Sequence, residues 1–181
     1  HAIEGYITAG AWELSDMLKF AVDFEGPIAI RYPRGEAYDG LEDKRQPIEY
    51  GKAEWIYKEQ DIALLAVGSM VKTAESVYAK LKEQGKNVSL LNARFVKPID
   101  EEAVLEACEK HILLVTLEEN VASGGYGEKV LDCLQKNGKD ISLLRIAIPD
   151  AYVEHGSVDL LKKEIGLDAD SITEQILEKL G

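Results

Sequence analysis

Between Asp61 and Ile148 the chain alternates short, largely apolar runs, unbroken at 62–67, with amphipathic stretches of helical length. The runs span residues 62–67, 88–91, 111–117 and 141–148. Each is too short for a helix and carries β-branched residues, so each reads as a strand. A strand that is apolar along its whole length must be covered on both faces. The stretches 69–84, 98–109 and 128–135 supply helices to do the covering. This pattern predicts a three-layer α/β domain with a mostly parallel sheet of about five strands and helices on both faces. Residues 51–58, with Trp55 and Tyr57, add a further strand, antiparallel at one edge.

The flanking segments are read by the same rules. Residues 11–24 form an amphipathic helix whose stripe is Leu14, Met17, Leu18, Ala21 and Val22, with Glu13, Asp16 and Lys19 turned away from it. Gly26-Pro27 stops that helix, and Ile28-Ala29-Ile30 is a short buried strand closed by Arg31-Tyr32-Pro33-Arg34-Gly35. A polar loop covers residues 36–47. Ser69 is placed to cap one helix, and Ser171-x-x-Glu174 has the spacing of a capping box for the last one, which runs to Leu180. Another helix starts near Ser157 and stops before Gly166. Residues 1–10 fit no pattern and are taken as a linker, a cloning remnant or the end of a preceding domain, with the α/β domain covering 11–181. A first residue other than Met makes a fragment of a longer chain the expectation.

Charge narrows the partners. With 33 acidic against 21 basic residues the formal charge is −12. A phosphate backbone needs a positive field, so nucleic acid is not expected, and an anionic membrane surface is disfavoured for the same reason. One arginine can still bind a small phosphorylated ligand whatever the net charge. No apolar run reaches the ~20 residues of a membrane span. Cys108 and Cys133 make no disulfide framework, and a reducing cytoplasm is the expected compartment.

Known chemical signatures are mostly missing. The turn at Gly68-Ser69 lacks the remaining glycines of a dinucleotide fingerprint, and there is no Walker loop and no G-x-S-x-G elbow. Cys108 and His111 have C-x-x-H spacing, half of a zinc set, with no second pair to complete it. Ser123-Gly124-Gly125-Tyr126-Gly127 before a helix is either a phosphate cradle or a tight turn with close helix packing. Glu118-Glu119-Asn120 ends a strand where open α/β sheets carry functional groups, but adjacent carboxylates on an extended chain point apart. Arg31 and Arg34 sit at a strand end, and each offers a planar fork to a carboxylate or phosphate. A structural ion pair is the equal alternative on spacing alone.

Four stretches, in order, carry a resemblance. They are Gly26-Pro27-Ile28-Ala29-Ile30-Arg31-Tyr32-Pro33-Arg34-Gly35; Ala93-Arg94-Phe95-Val96-Lys97-Pro98-Ile99-Asp100; Glu118-Glu119-Asn120 with Gly124-Gly125-x-Gly127; and Ile148-Pro149-Asp150 before His155-Gly156. Together they resemble the C-terminal, transketolase-like domain of the 1-deoxy-D-xylulose-5-phosphate synthase family, over about residues 11–181. The resemblance implies an enzyme that joins pyruvate, after decarboxylation on thiamine diphosphate, to D-glyceraldehyde 3-phosphate. It also implies that N-terminal and middle domains outside this chain hold the thiamine diphosphate and Mg²⁺, so that the fragment binds neither and is inactive alone. In the family's pattern Arg34 binds the phosphate of glyceraldehyde 3-phosphate, Arg31 is a neighbour with a weaker claim, Tyr32 is packing, and the whole enzyme is a cytoplasmic homodimer. Alternatives are the C-terminal domain of transketolase, that of a 2-oxoacid dehydrogenase beta subunit, or a non-catalytic interaction module.

Overall fold

The strand Asp61–Ala66 (β4) is buried at every position after its first, as an unbroken apolar run requires. The computed structural model describes residues 4–7, 9–32, 38–151 and 156–181, the first of these segments as backbone only. Beside β4 run Val88–Asn92 (β5) and His111–Val121 (β7), both parallel to it, and Ser142–Ile148 (β8) runs parallel to β7. Glu54–Tyr57 (β3) closes one edge antiparallel to β5, which gives the order β3-β5-β4-β7-β8. The expected sheet of about five strands with one antiparallel edge is therefore present.

Alternation along β4 divides the core into two faces. Ile62, Leu64 and Ala66 meet helix Met70–Glu83 (α2), through Met70, Val71, Ala74, Val77 and Leu81, and helix Ala169–Leu180 (α6). Ala63, Leu65 and Val67 meet helices Glu101–Lys110 (α3) and Tyr126–Lys136 (α4). Each fully buried Val, Leu or Ile contributes about 1.5–3 kcal/mol relative to an exposed one, so the two faces hold most of the apolar stabilisation. Val158–Glu164 (α5) is a short helix between β8 and α6 with no buried residue.

Two caps differ from the sequence reading. Ser69 precedes α2 in helical backbone geometry and makes no capping bond; its hydroxyl donates to Glu119 instead. The last helix is capped by Asp168, whose carboxylate accepts from the Asp170 and Ser171 N–H groups at 3.1 and 3.2 Å. Asp168 stands before the proposed box and reaches the free amides first, so Ser171 falls inside the helix. Asp100 does cap α3, accepting from Ala103 N, and its second oxygen accepts from Ala53 N at 2.9 Å.

A second sheet was not anticipated. Glu4–Ile7 (β1) lies between Ile28–Arg31 (β2), parallel to it, and Phe95–Lys97 (β6), antiparallel to it. The helix Ala11–Asp23 (α1) joins β1 to β2. Because β2 is an edge strand with only one covered face, Ile28 and Ile30 are half-buried while Ala29 and Arg31 are exposed, so the expectation of a buried strand is corrected. The orientation of α1 is corrected as well. Its buried side chains are Met17 and Glu13, while Leu18 and Val22 are 52% and 85% exposed. Met17 packs on Phe95, with Phe20, Ile28, Ile30 and Ile48 around them.

Candidate functional site

The neighbouring strands β4 and β7 are followed by helices that leave to opposite faces of the sheet, α2 to one and α4 to the other. In open α/β sheets this divergence opens a crevice at the carboxyl ends of the strands, where ligands bind. Three groups singled out in the sequence meet here: the Gly68-Ser69 turn, Glu118-Glu119, and the glycine turn at 124–127.

Glu118 and Glu119 point apart, as an extended chain dictates. The buried Glu118 carboxylate accepts from the backbone N–H groups of Tyr126 and Gly127 at 2.8 and 2.9 Å. These are free donors of the first turn of α4, which bear the positive end of the helix dipole. The phosphate-cradle reading of residues 123–127 is thereby corrected, because the chain's own carboxylate fills the anion position. The glycines serve close packing: a Cβ at Gly125 would lie 2.5 Å from Glu118 Oε2, and one at Gly127 would lie 2.6 Å from Thr116 Oγ1.

Glu119 faces the other way. One of its oxygens accepts from the Ser69 hydroxyl and the other pairs with Lys162 of α5. Burial pushes its carboxyl up, but the Lys162 and Ser69 hydrogen bonds and the charges of Lys162 and Arg31 outweigh it, and the group lies below its usual range. Arg31, at the end of β2, is exposed, and Tyr32 is 63% exposed rather than packed. The phosphate-binding assignment of Arg34 falls on residues 33–37, outside those described.

A buried polar network lies at the junction of the two sheets, and reading the residue pattern missed it. Arg94, fully buried, donates from Nε to Glu13 at 2.9 Å and from Nη2 to Glu54 at 2.8 Å. Nη2 also donates to the Gln46 carbonyl at 3.1 Å, and Nη1 donates to the Pro47 carbonyl at 3.2 Å. Glu13 also accepts from Asn92 Nδ2 at 2.7 Å and from Ala9 N at 2.6 Å. Arg94 has φ +52°, a conformation costing about 1–2 kcal/mol in an L-residue, which the network holds in place. Burial pushes the Glu54 carboxyl up; Arg94 counters and Glu13 adds to the rise. The available signal was a second apolar stripe on α1, Met17, Phe20 and Phe24, on the side that carries Glu13.

Cys108 and His111 do not assemble a metal set. The His111 ring bonds the Ala107 carbonyl at 2.7 Å through Nδ1 and Ser89 Oγ at 2.8 Å through Nε2, so both nitrogens are engaged. Burial pushes the Cys108 thiol up, away from the thiolate a metal would need. Among the described residues no three His, Cys, Asp or Glu side chains converge as ligands. Among the same residues no helix is long and apolar enough to cross a membrane.

Comparison with known proteins places this geometry. The chain is 48% identical over 172 residues to the 1-deoxy-D-xylulose-5-phosphate synthase of Lachnoclostridium phytofermentans, an alignment covering 94% of the chain and 28% of that protein. The synthase of Syntrophomonas wolfei is 43% identical, with 92% and 26% covered. The chain thus spans little more than a quarter of the length of these relatives. Among solved structures, a split-gene transketolase determined as an inactive β4 tetramer superposes with a TM-score of 0.87 at 22% identity, over 98% of this chain and 57% of that one. A transketolase from Campylobacter jejuni gives 0.74 at 15% identity, over 97% and 26%. These last two speak for the fold alone. The family model for the transketolase C-terminal domain matches residues 51–172, from the five-stranded sheet to the first turn of α6, and the chain belongs to that family.

Proposed function

We propose that this chain is the C-terminal part of a 1-deoxy-D-xylulose-5-phosphate synthase. The intact enzyme combines pyruvate and D-glyceraldehyde 3-phosphate to give 1-deoxy-D-xylulose 5-phosphate and CO₂. The observation that carries the reading is identity of 48%, 43% and 40% to proteins of that name, each over more than nine-tenths of this chain. The other domains of the same enzyme are then the partners. The resemblance further makes the intact protein a cytoplasmic homodimer.

Thiamine diphosphate with Mg²⁺ supplies the decarboxylation chemistry in such an enzyme. The described residues present no ligand set for the metal, and the reading assigns that site to the rest of the protein. What this chain contributes is the acceptor end. In this reading Arg34 binds the phosphate of glyceraldehyde 3-phosphate, with a weaker claim for Arg31. A charged hydrogen bond is worth about 1.5–3 kcal/mol, and anchoring the phosphate orients the remote aldehyde for attack.

The test is a coupled assay of the intact enzyme with pyruvate, glyceraldehyde 3-phosphate, thiamine diphosphate and Mg²⁺. Turnover is expected, and a folded but inactive enzyme would overturn the synthase reading. Arg34→Ala should raise KM for glyceraldehyde 3-phosphate by about 10- to 100-fold while KM for pyruvate changes by no more than about twofold. Equal effects on the two substrates, or none, would remove Arg34 from the acceptor site.

A further inference from the structure

We propose that the open edge of β2 and the outer face of α1 form one docking surface. Its occupant is a parallel strand with its covering helix, supplied by the part of the intact enzyme outside this chain. The proposal rests on the reading of the chain as one part of a longer enzyme. It moves the domain boundary from the expected position near residue 10 to the linker between β2 and β3.

The small sheet is unfinished on one side. β1 and β2 are parallel, in register from Glu4 and Ile28 to Ile7 and Arg31, and among the described residues β2 pairs with β1 alone. Parallel strands belong in sheets covered on both faces, yet the face of β2 that carries Ala29 and Arg31 is exposed. A free edge presents unpaired N–H and C=O groups, and proteins blunt such edges with charge. At the free edge of the large sheet, β8 has Arg145 exposed at its middle, whereas Ile28-Ala29-Ile30 carries no charge before Arg31.

The helix beside it is also half covered. Met17 and Phe20 pack on Phe95, while Leu18 and Val22, four positions apart on another side of α1, are both exposed. A helix with apolar residues on two sides belongs between two layers, and the described residues form only one of them. The junction with the large sheet is held by the buried Glu13–Arg94–Glu54 ion pairs, and contacts between domains are more polar than a core. The family model begins at residue 51, after the unit, whereas the alignment to the Lachnoclostridium phytofermentans synthase covers 94% of the chain and so extends into it. The unit is therefore shared with the relatives but lies outside the C-terminal domain match. This chain spans 28% of that relative, which leaves ample sequence to supply a strand and its helix.

Hydrogen exchange of the unsubstituted protein is the test, read on residues 28–31 in this chain and in the intact enzyme. Docking predicts that the outward amides of β2 exchange at least about 100-fold more slowly in the intact enzyme. The double variant Leu18→Lys, Val22→Lys is the second measurement, since lysine favours a helix and suits its later turns. It should lower the thermal midpoint of the intact enzyme by about 5 °C or more, and that of this chain by less than about 2 °C. Amides that exchange equally fast in both proteins, or equal thermal shifts, would make this face solvent surface and overturn the proposal. A chain that dimerises by itself and is returned to monomer by the lysines would give the face to a second copy, which overturns it too. Neither measurement uses activity. An intact enzyme protected at β2 but inactive with pyruvate and glyceraldehyde 3-phosphate would sink the synthase reading and leave the docking surface standing.

Discussion

The five-stranded sheet and the β1–α1–β2 unit use the same elements, parallel strands joined through a helix, yet different forces hold them. In the large sheet β4 is apolar on both sides, and α2 turns Met70, Val71, Ala74, Val77 and Leu81 into the core with no large apolar residue left outside. In the small unit α1 turns a carboxylate inward and leaves Leu18 and Val22 in solvent. The first region is closed by area removed from water. The second is tied on by ions, through Glu13, Arg94 and Glu54. Apolar burial is non-directional and tolerates repacking, whereas a buried charge must have its partners or cost several kcal/mol.

The largest effect should therefore come from the smaller region. Arg94→Ala leaves Glu13 and Glu54 buried without their cation and should cost about 3–5 kcal/mol in urea unfolding, more than a typical core truncation of similar volume. The combined replacement of Glu13, Arg94 and Glu54 by Leu, Met and Leu removes the charges together and should recover most of that loss. If Arg94→Ala cost under about 1 kcal/mol, ions would not be what ties the unit on, and the contrast would collapse.

A middle-sized effect tests the large sheet at its own polar point. Glu118→Ala frees two helix N–H groups behind Gly125 and Gly127, and should cost about 2 kcal/mol. Glu118→Gln keeps one acceptor and loses the charge–dipole term, so a smaller loss is expected. Equal losses would mean that the charge and its second acceptor oxygen, and not the shape of the side chain, seat α4 on the sheet. Hydrogen exchange of the Tyr126 and Gly127 amides reads the same contact residue by residue.

The two regions also differ in how much of them could be read from sequence. The unbroken apolar run at 62–67 admits one interpretation, because a strand without polar positions has nowhere to go but between two layers. The antiparallel edge strand is legible in residues 51–58, but the order β3-β5-β4-β7-β8 is supplied by the structure. In α1 the helix was legible but its rotation was not. Two apolar stripes compete there, and the winner is decided by Arg94, which lies 81 positions away in the chain. Periodicity records local preference and carries no term for a charge delivered by a distant strand. At the candidate site, the divergence of Glu118 and Glu119 was legible from strand geometry, but their partners were not. The Ser69 hydroxyl fits a capping role locally, and only the adjacency of β4 and β7 brings Glu119 within its reach. Charge partners across a sheet are set by topology.

The smallest effect is a difference of sign in pH dependence between two carboxyls. Glu54 sits in the buried network, and burial, only partly countered by Arg94, raises it above its ordinary 4.5. Between 4.5 and that raised value the folded chain holds a proton that the unfolded chain has lost, so this group's contribution to stability falls as pH rises through the window. Glu106, on α3 in the large-sheet region, is lowered to about 2 by Lys110, against burial, with help from Lys58 and Trp55. Its contribution is complete above 4.5 and is lost as pH falls toward about 2. Being partly solvated, the Glu106 pairs should be worth no more than about 1 kcal/mol. Urea unfolding from acid to neutral pH of the unsubstituted chain, Glu54→Gln and Glu106→Gln separates the two. The Glu106→Gln deficit should be present at neutral pH and vanish in acid. Glu54→Gln should gain on the unsubstituted chain as pH rises past 4.5. Differences that move in the same direction for both variants would mean that the junction is solvated like a surface pair, and that the two regions are held by one kind of force after all.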